Sequence, residues 1–209
     1  WKEGVKILDP CCGNGNFHLY AWNKLRQQGI SNEQIITNNL FFNDVNSKRL
    51  ENVREIYGDS ANITSVDFLN YPEEQLYDII YANPPYAKFT IDNKRASKNH
   101  TLVRDFLAKS LKLLKDGGFL VYIIPNNWMS LADRNVVIKE ITKYQFLHLD
   151  IHGAKKWFPK IGSSFTWLVL QKVPANRTYE VESNYRGTKW LSQVKSEERA
   201  FIPLLWTEE

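Results

Sequence analysis

Seven short apolar runs, set between turns and helical stretches, constrain this chain more than any other feature. They fall at residues 5–8, 39–43, 63–66, 77–82, 119–125, 146–151 and 164–171. Helical periods lie between several of them, at residues 47–57, 101–115 and 134–143. In the second of these, Val103, Phe106, Leu107, Leu111 and Leu114 recur at the spacing of one helix face. Asp116-Gly117-Gly118 then reads as its end, with glycine as the natural C-cap. Strand-length runs alternating with helices belong to a mostly parallel sheet with helices on both faces. A length of 209 residues is enough for one domain with a real core.

The first run leads into Asp9-Pro10-Cys11-Cys12-Gly13-Asn14-Gly15-Asn16-Phe17 and then into a helical pattern at Leu19, Trp22 and Leu25. Strand, Gly-rich turn, helix is the nucleotide-cradling arrangement of a doubly wound, Rossmann-like sheet. Gly13 and Gly15 permit positive φ and close approach of backbone to a ligand. The run is not G-x-G-x-x-G, because position 18 is His, and no Gly-Lys-Ser/Thr follows to make a phosphate loop. Asp44 ends the second run, where a carboxylate can accept both hydroxyls of a bound ribose. It also precedes the helical stretch 47–57, so an N-cap role at its other atoms can stand beside the ligand role.

The fourth run ends in Asn83-Pro84-Pro85-Tyr86. Two prolines fix φ and restrict the residues before them, so the turn is almost predetermined. Such a turn forms a claw for a planar NH2 group. The Asn83 side-chain oxygen and the Pro84 carbonyl can each accept one hydrogen, and Tyr86 offers a ring to stack on the flat system carrying them. A plain Pro-Pro turn closing a buried strand explains the prolines, but not the asparagine before them or the aromatic after.

Together, Asp9–Phe17 and Asn83–Tyr86 resemble the amino-group methyltransferases that act on adenine in DNA and use S-adenosylmethionine. The resemblance covers residues 5–172 and implies a seven-stranded sheet whose last strand is antiparallel. It makes the first motif the cofactor loop, with Asp9 holding the methionine amino end and Pro10, Gly13, Gly15 and Phe17 around the ligand. Cys12 is read as a small buried residue near the cofactor, not a nucleophile. Asp67 would bond the cofactor's adenine amino group and Phe68 would pack on its ring, although Phe68 also fits ordinary core. Phe158, beside Pro159, would stack on the target base opposite Tyr86. A stacked duplex base cannot reach such a pocket, so the expected partner is DNA, either duplex with a flipped adenine or single-stranded.

Composition agrees. The net charge is +4, and Lys88, Lys94, Arg95, Lys98 and Arg104 follow the claw while Lys155, Lys156 and Lys160 surround Phe158. Such clusters suit phosphates, although any one of them also suits a solvated loop. No run approaches the roughly 18 apolar residues of a membrane span. The cysteines are adjacent at 11 and 12, unsuited to pairing with each other or to a zinc site, which suggests a reduced, cytoplasmic-type protein without a metal. Residues 1–173 read as a catalytic domain lacking an upstream cofactor-contacting segment. Residues 174–209 read as an extension or the start of a target-recognition region, otherwise missing or separate. Two rivals stand beside this reading. One is the same claw acting on a glutamine amide or on guanine N2 in RNA. The other is a catalytically silent, methyltransferase-like binding module.

Overall fold

Ile7 and Leu8 are neighbours in strand β1 (Ile7–Asp9), both fully buried, yet they belong to different cores. Side chains alternate across a strand, so this pair marks a sheet covered on both faces. The computed structural model describes residues 4–85, 101–125, 140–151, 165–175, 178–185 and 188–195. On one face, α1 (Asn16–Gln27) presents Ala21 and Leu25, and α3 (Ser47–Tyr57) presents Leu50, Val53 and Tyr57. On the other, α4 (Thr101–Leu113) contributes Leu102, Val103, Phe106, Leu107 and Leu111. Each such Leu, Val or Phe side chain contributes about 1.5–3 kcal/mol by leaving water.

The remaining strands are β2 (Leu40–Asn43), β3 (Asn62–Thr64), β4 (Tyr77–Ala82), β5 (Leu114–Pro125), β6 (Tyr144–Ile151), β7 (Phe165–Pro174), β8 (Thr178–Tyr185) and β9 (Thr188–Lys195). Their order in the sheet is β3-β2-β1-β4-β5-β7-β6-β8-β9. The first five pair in parallel, and β7 lies antiparallel between β5 and β6. The expected seven-stranded, mostly parallel sheet with its antiparallel seventh strand is therefore present. Beyond it, β8 pairs in parallel with β6 and returns through β9, so the described sheet has nine strands.

Three local expectations change. The helix from Thr101 ends at Leu113, and residues 116–118 do not cap it. Instead Tyr77 pairs with Leu114 and Ile79 with Phe119, so residues 115–118 bulge out opposite Asp78. Gly117 takes φ 80° in the bulge, and a Cβ on Gly118 would sit 2.9 Å from the Asp78 carbonyl. Asp78 stabilises the bulge by accepting from Lys115 Nζ at 2.9 Å and from the Lys6 N–H at 2.8 Å. Second, Asn39 does not begin β2. It closes a π-helical turn (Ile35–Asn39) that follows the short α2 (Asn32–Gln34), and its amide donates to the Val5 carbonyl at 2.7 Å. Third, α3 is capped by Asn46, whose side chain accepts from Lys48 N–H at 3.1 Å, so Asp44 is not its N-cap. The expected helix at residues 134–143 lies mostly outside the described residues.

Candidate active site

β1 is flanked in parallel by β2 and β4, which are reached by crossovers on opposite sides. A doubly wound sheet opens a crevice at this switch point, beyond the carboxyl ends of the strands. A cavity of about 510 Å³ fills it, within the size of ordinary small-molecule sites. Its walls include Pro10, Asp44, Asp67, Phe68, Asn83 and Pro85, drawn from four separate motifs of the sequence. A larger hollow of about 730 Å³ lies near Gly4, Gln28, Gln34 and Asn39, away from these motifs and without a titratable side chain in its lining.

The loop after β1 is tied down on several sides. Asp9 is buried, and its Oδ1 accepts from Cys11 N–H at 3.2 Å. The Cys12 N–H reaches the Asn43 carbonyl at 2.8 Å, and the Gly13 N–H reaches Asp44 Oδ2 at 2.9 Å. Gly15 opens α1 at φ 80°, and a Cβ there would stand 3.0 Å from the Tyr57 ring, so both conformation and space select glycine. The Tyr57 hydroxyl donates to the Gly15 carbonyl at 2.8 Å. Asp9, Cys12, Gly13, Gly15 and Phe17 are not among the cavity's lining residues. Phe17 is 42% exposed and meets Tyr81 edge-on, with ring centroids 5.9 Å apart.

Asp44 is 5% exposed and faces the cavity. Its second oxygen accepts from Asn46 N–H at 2.9 Å, so each oxygen holds one backbone donor and keeps a lone pair. Asp67 caps a 3-10 turn (Phe68–Asn70) by accepting from Leu69 N–H at 3.0 Å. Phe68 is 1% exposed and packs on Phe106 at 5.0 Å, so it is both core residue and cavity wall. Sequence reasoning missed Cys11, Val45, Arg49, Leu102 and Phe106, which also line the cavity. Val45 is the most informative of them, because it is 70% exposed directly after Asp44. It also missed Asn43. This buried amide donates to the Pro10 and Val66 carbonyls, each at 3.0 Å, and accepts from Thr64 Oγ1 at 2.9 Å and Val66 N–H at 3.2 Å.

In the claw, Asn83 is half-buried, Pro84 buried and Pro85 exposed. The Cys11 thiol donates to the Asn83 carbonyl at 3.5 Å, joining the loop after β1 to the claw. Burial, with the Asp9 and Asp44 charges nearby, pushes the Cys11 thiol well above its usual pKa, so the donor hydrogen stays in place. Tyr86, Phe158 and the lysine clusters around them lie outside the described residues, and Arg104 forks onto its neighbour Asp105 at 2.9 Å.

Residues 17–158, more than half of the chain, match the model of the Eco57I restriction-modification methylases. The chain belongs to this family. Type II methyltransferase M.VspI from Vibrio sp. is 28% identical over 183 residues, covering 80% of this chain and 42% of that protein. Type II methyltransferase M.TthHB8I from Thermus thermophilus is 24% identical over 228 residues, covering 99% of this chain and 46% of that protein. The chain thus spans less than half the length of these relatives. A modification subunit of a putative type I restriction enzyme from Vibrio vulnificus shares the fold with a TM-score of 0.70 at 17% identity. That match covers 89% of this chain and 44% of that one.

Membership of the Eco57I family, with this fold, implies S-adenosylmethionine as the cofactor. The residues present fit it. Burial pushes Asp9 up to about 8, opposed by its bond from Cys11 and reinforced by the Asp44 charge. Among the described residues the cation beside this pair of carboxylates is Arg49, 3.9 Å from Asp44 Oδ2. A ligand carrying positive charge and ribose hydroxyls complements such a pocket. Among the described residues no group of His, Cys, Asp and Glu is placed to hold a metal ion, and no helix is long and apolar enough to cross a membrane.

Proposed function

We propose that this chain is the catalytic core of a DNA methyltransferase that methylates the N6 amino group of adenine. The observation that supports the reading is the shared cavity, which Asp44, Asp67, Asn83 and Pro85 all line. Donor and acceptor can then meet without either loop leaving its strand.

S-adenosylmethionine supplies an electrophilic methyl group on a sulfonium. Asp44 accepts the ribose hydroxyls on its remaining lone pairs, and Asp67 takes the cofactor's adenine amino group. Val45 and Phe68 form apolar walls for that ring. Asp9 acts from behind the loop, shaping it through Cys11 and balancing the charge of the methionine end. The Asn83 side-chain oxygen and the Pro84 carbonyl accept the two N–H bonds of the target amino group. That arrangement favours a pyramidal nitrogen with its lone pair aimed at the methyl. One C–S bond breaks, one N–C bond forms, and a proton leaves the nitrogen for water afterwards. Positive charge grows on the nitrogen in the transition state, so acceptors placed there bind it better than the ground state. Tyr86 and Phe158 stack on either face of the flipped base, each worth roughly 1–3 kcal/mol against the cost of unstacking. Residues 1–173 form this catalytic unit, and target recognition belongs to sequence outside it.

The test is methyl transfer from labelled S-adenosylmethionine to unmodified DNA by the whole protein, followed by nucleoside mass spectrometry. Label in N6-methyladenine supports the reading. Label in guanine N2 of RNA or in glutamine keeps the claw chemistry and replaces the substrate. A protein that binds the cofactor and labels nothing is a silent module.

A further inference from the structure

In a dinucleotide-binding turn the third glycine lets the helix pack closely on the strand. The residue at that position in this chain is His18, and its imidazole is fully buried. Both ring nitrogens are used. Nε2 lies 2.8 Å from the Phe41 carbonyl, which can only accept, so Nε2 carries the hydrogen. A neutral ring then offers its lone pair at Nδ1, and the Tyr81 hydroxyl donates to it. Burial lowers the ring's pKa to about 4, against the pull of the Phe41 carbonyl, so the neutral form persists near neutral pH. The ring stands edge-on to Phe42 at 4.2 Å and to Tyr81 at 5.2 Å.

This imidazole joins three elements. It sits on α1, the helix that the cofactor loop opens. It holds β2, which delivers Asp44, and β4, which delivers Asn83 two residues after Tyr81. An apolar pair would fill the same space without the cost of burying polar groups. What the polar pair adds is direction, because the hydrogen bond ties the Tyr81 side chain near the end of β4 to α1 in one orientation.

We propose that the His18–Tyr81 hydrogen bond is a positioning device that sets the end of β4 against the cofactor loop, so that Asn83 holds the amino group at reactive distance from the methyl donor. The proposal rests on Asn83 as the amino-group acceptor. The two side chains touch neither substrate nor cofactor in this account; they act through Asn83, as the Cys11 thiol does from the other side.

Tyr81→Phe keeps the ring and removes the donor. His18→Asn keeps an acceptor near the place of Nδ1 and removes the bond to Phe41. In the whole protein, single-turnover methyl transfer at saturating cofactor and DNA is expected to fall about tenfold in Tyr81→Phe, since misplacement by about 1 Å can cost up to 10² in rate. Cofactor Kd should stay within twofold. His18→Asn should retain most of the rate, and adding it to Tyr81→Phe should cost little more. A Tyr81→Phe rate within twofold of wild type overturns the proposal. So does a parallel loss of cofactor affinity and rate, which is general loosening. Asn83→Ala run alongside separates the two ideas: wild-type rates there sink Asn83 as acceptor, whereas wild-type rates in Tyr81→Phe sink the pair alone. A readout independent of activity is the ¹⁵N spectrum of His18. The neutral Nε2–H tautomer is expected, with the Nδ1 resonance moving in Tyr81→Phe; a charged ring or the Nδ1–H tautomer overturns the pair.

Discussion

The loop after β1 takes bonds from Asp44, Asn43 and Tyr57, whereas the claw after β4 is tied to its surroundings by the Cys11 thiol and, two residues upstream, by Tyr81 on His18. The first arrangement is a cradle held from β2 and α3, with one thiol contact to the claw. The second is a rigid dipeptide, Pro84-Pro85, whose place is set from the cofactor side. On the proposed function, the cradle serves binding and the claw, placed by its neighbour, serves the chemical step. Damage to the cradle should therefore appear in cofactor affinity and stability, and damage to the claw in rate.

The largest effect tests the claw. Asn83→Ala should reduce methyl transfer by at least about 10²–10³, the usual cost of one transition-state contact. Cofactor affinity measured by calorimetry should change little. Equal loss of both would make Asn83 part of the cradle and erase the comparison.

The next test is its mirror. Asp44→Ala should raise the cofactor Kd by about 10² or more, because on the proposed function it deletes two charge-assisted bonds to the ribose, each typically worth about 1.5–3 kcal/mol. The rate at saturating cofactor should hold within a few-fold. A rate loss that saturating cofactor does not recover would show that Asp44 also shapes the claw.

Much of this architecture was legible because the two motifs are local. Asp9–Phe17 and Asn83–Pro85 announce their turns through glycine and proline, and the alternation of strand and helix fixes where such turns must lie. Asp44 was read as ribose acceptor or helix cap, and only the fold shows that Asn46 takes the cap. What stayed hidden depends on residues far apart in the chain. Asn43 bonds to Pro10, Thr64 and Val66, and Cys11 to the Asn83 carbonyl, and no local pattern encodes either. Gly117 and Gly118 looked like a helix stop because a bulge uses the same residues; the pairing of Tyr77 with Leu114 decides between them. The hairpin β8–β9 escaped because its strands carry little apolar content beyond Tyr179, Val181, Tyr185, Trp190, Leu191 and Val194, too sparse for an apolar-run criterion. Tyr86 and Phe158 lie outside the described residues, so their stacking role stands on the resemblance alone.

Asn43 tests the cradle's stability. Asn43→Ala would orphan the Pro10 and Val66 carbonyls and the Val66 N–H together. An unpaired buried polar group costs about 1–3 kcal/mol, so thermal unfolding should shift down by several degrees. An unchanged melting temperature would mean that water replaces the amide.

The smallest effect concerns protons. With its pKa raised to about 8, Asp9 stays protonated in the folded, unliganded protein at pH where the unfolded chain is already ionised. The folded state then binds the extra proton, so this group's contribution to stability is full below about 4 and is lost as pH rises to about 8. A positively charged ligand favours the ionised carboxylate, so cofactor binding near neutral pH should release protons and strengthen as pH approaches 8. Calorimetry in two buffers of different ionisation enthalpy reads that release directly. Asp9→Asn should abolish it and flatten the pH dependence of unfolding, while leaving Cys11 an amide oxygen to bond. Persistent proton release in Asp9→Asn would move the titration to another group. Release confined to the wild type would place the charge change that accompanies ligand binding on Asp9.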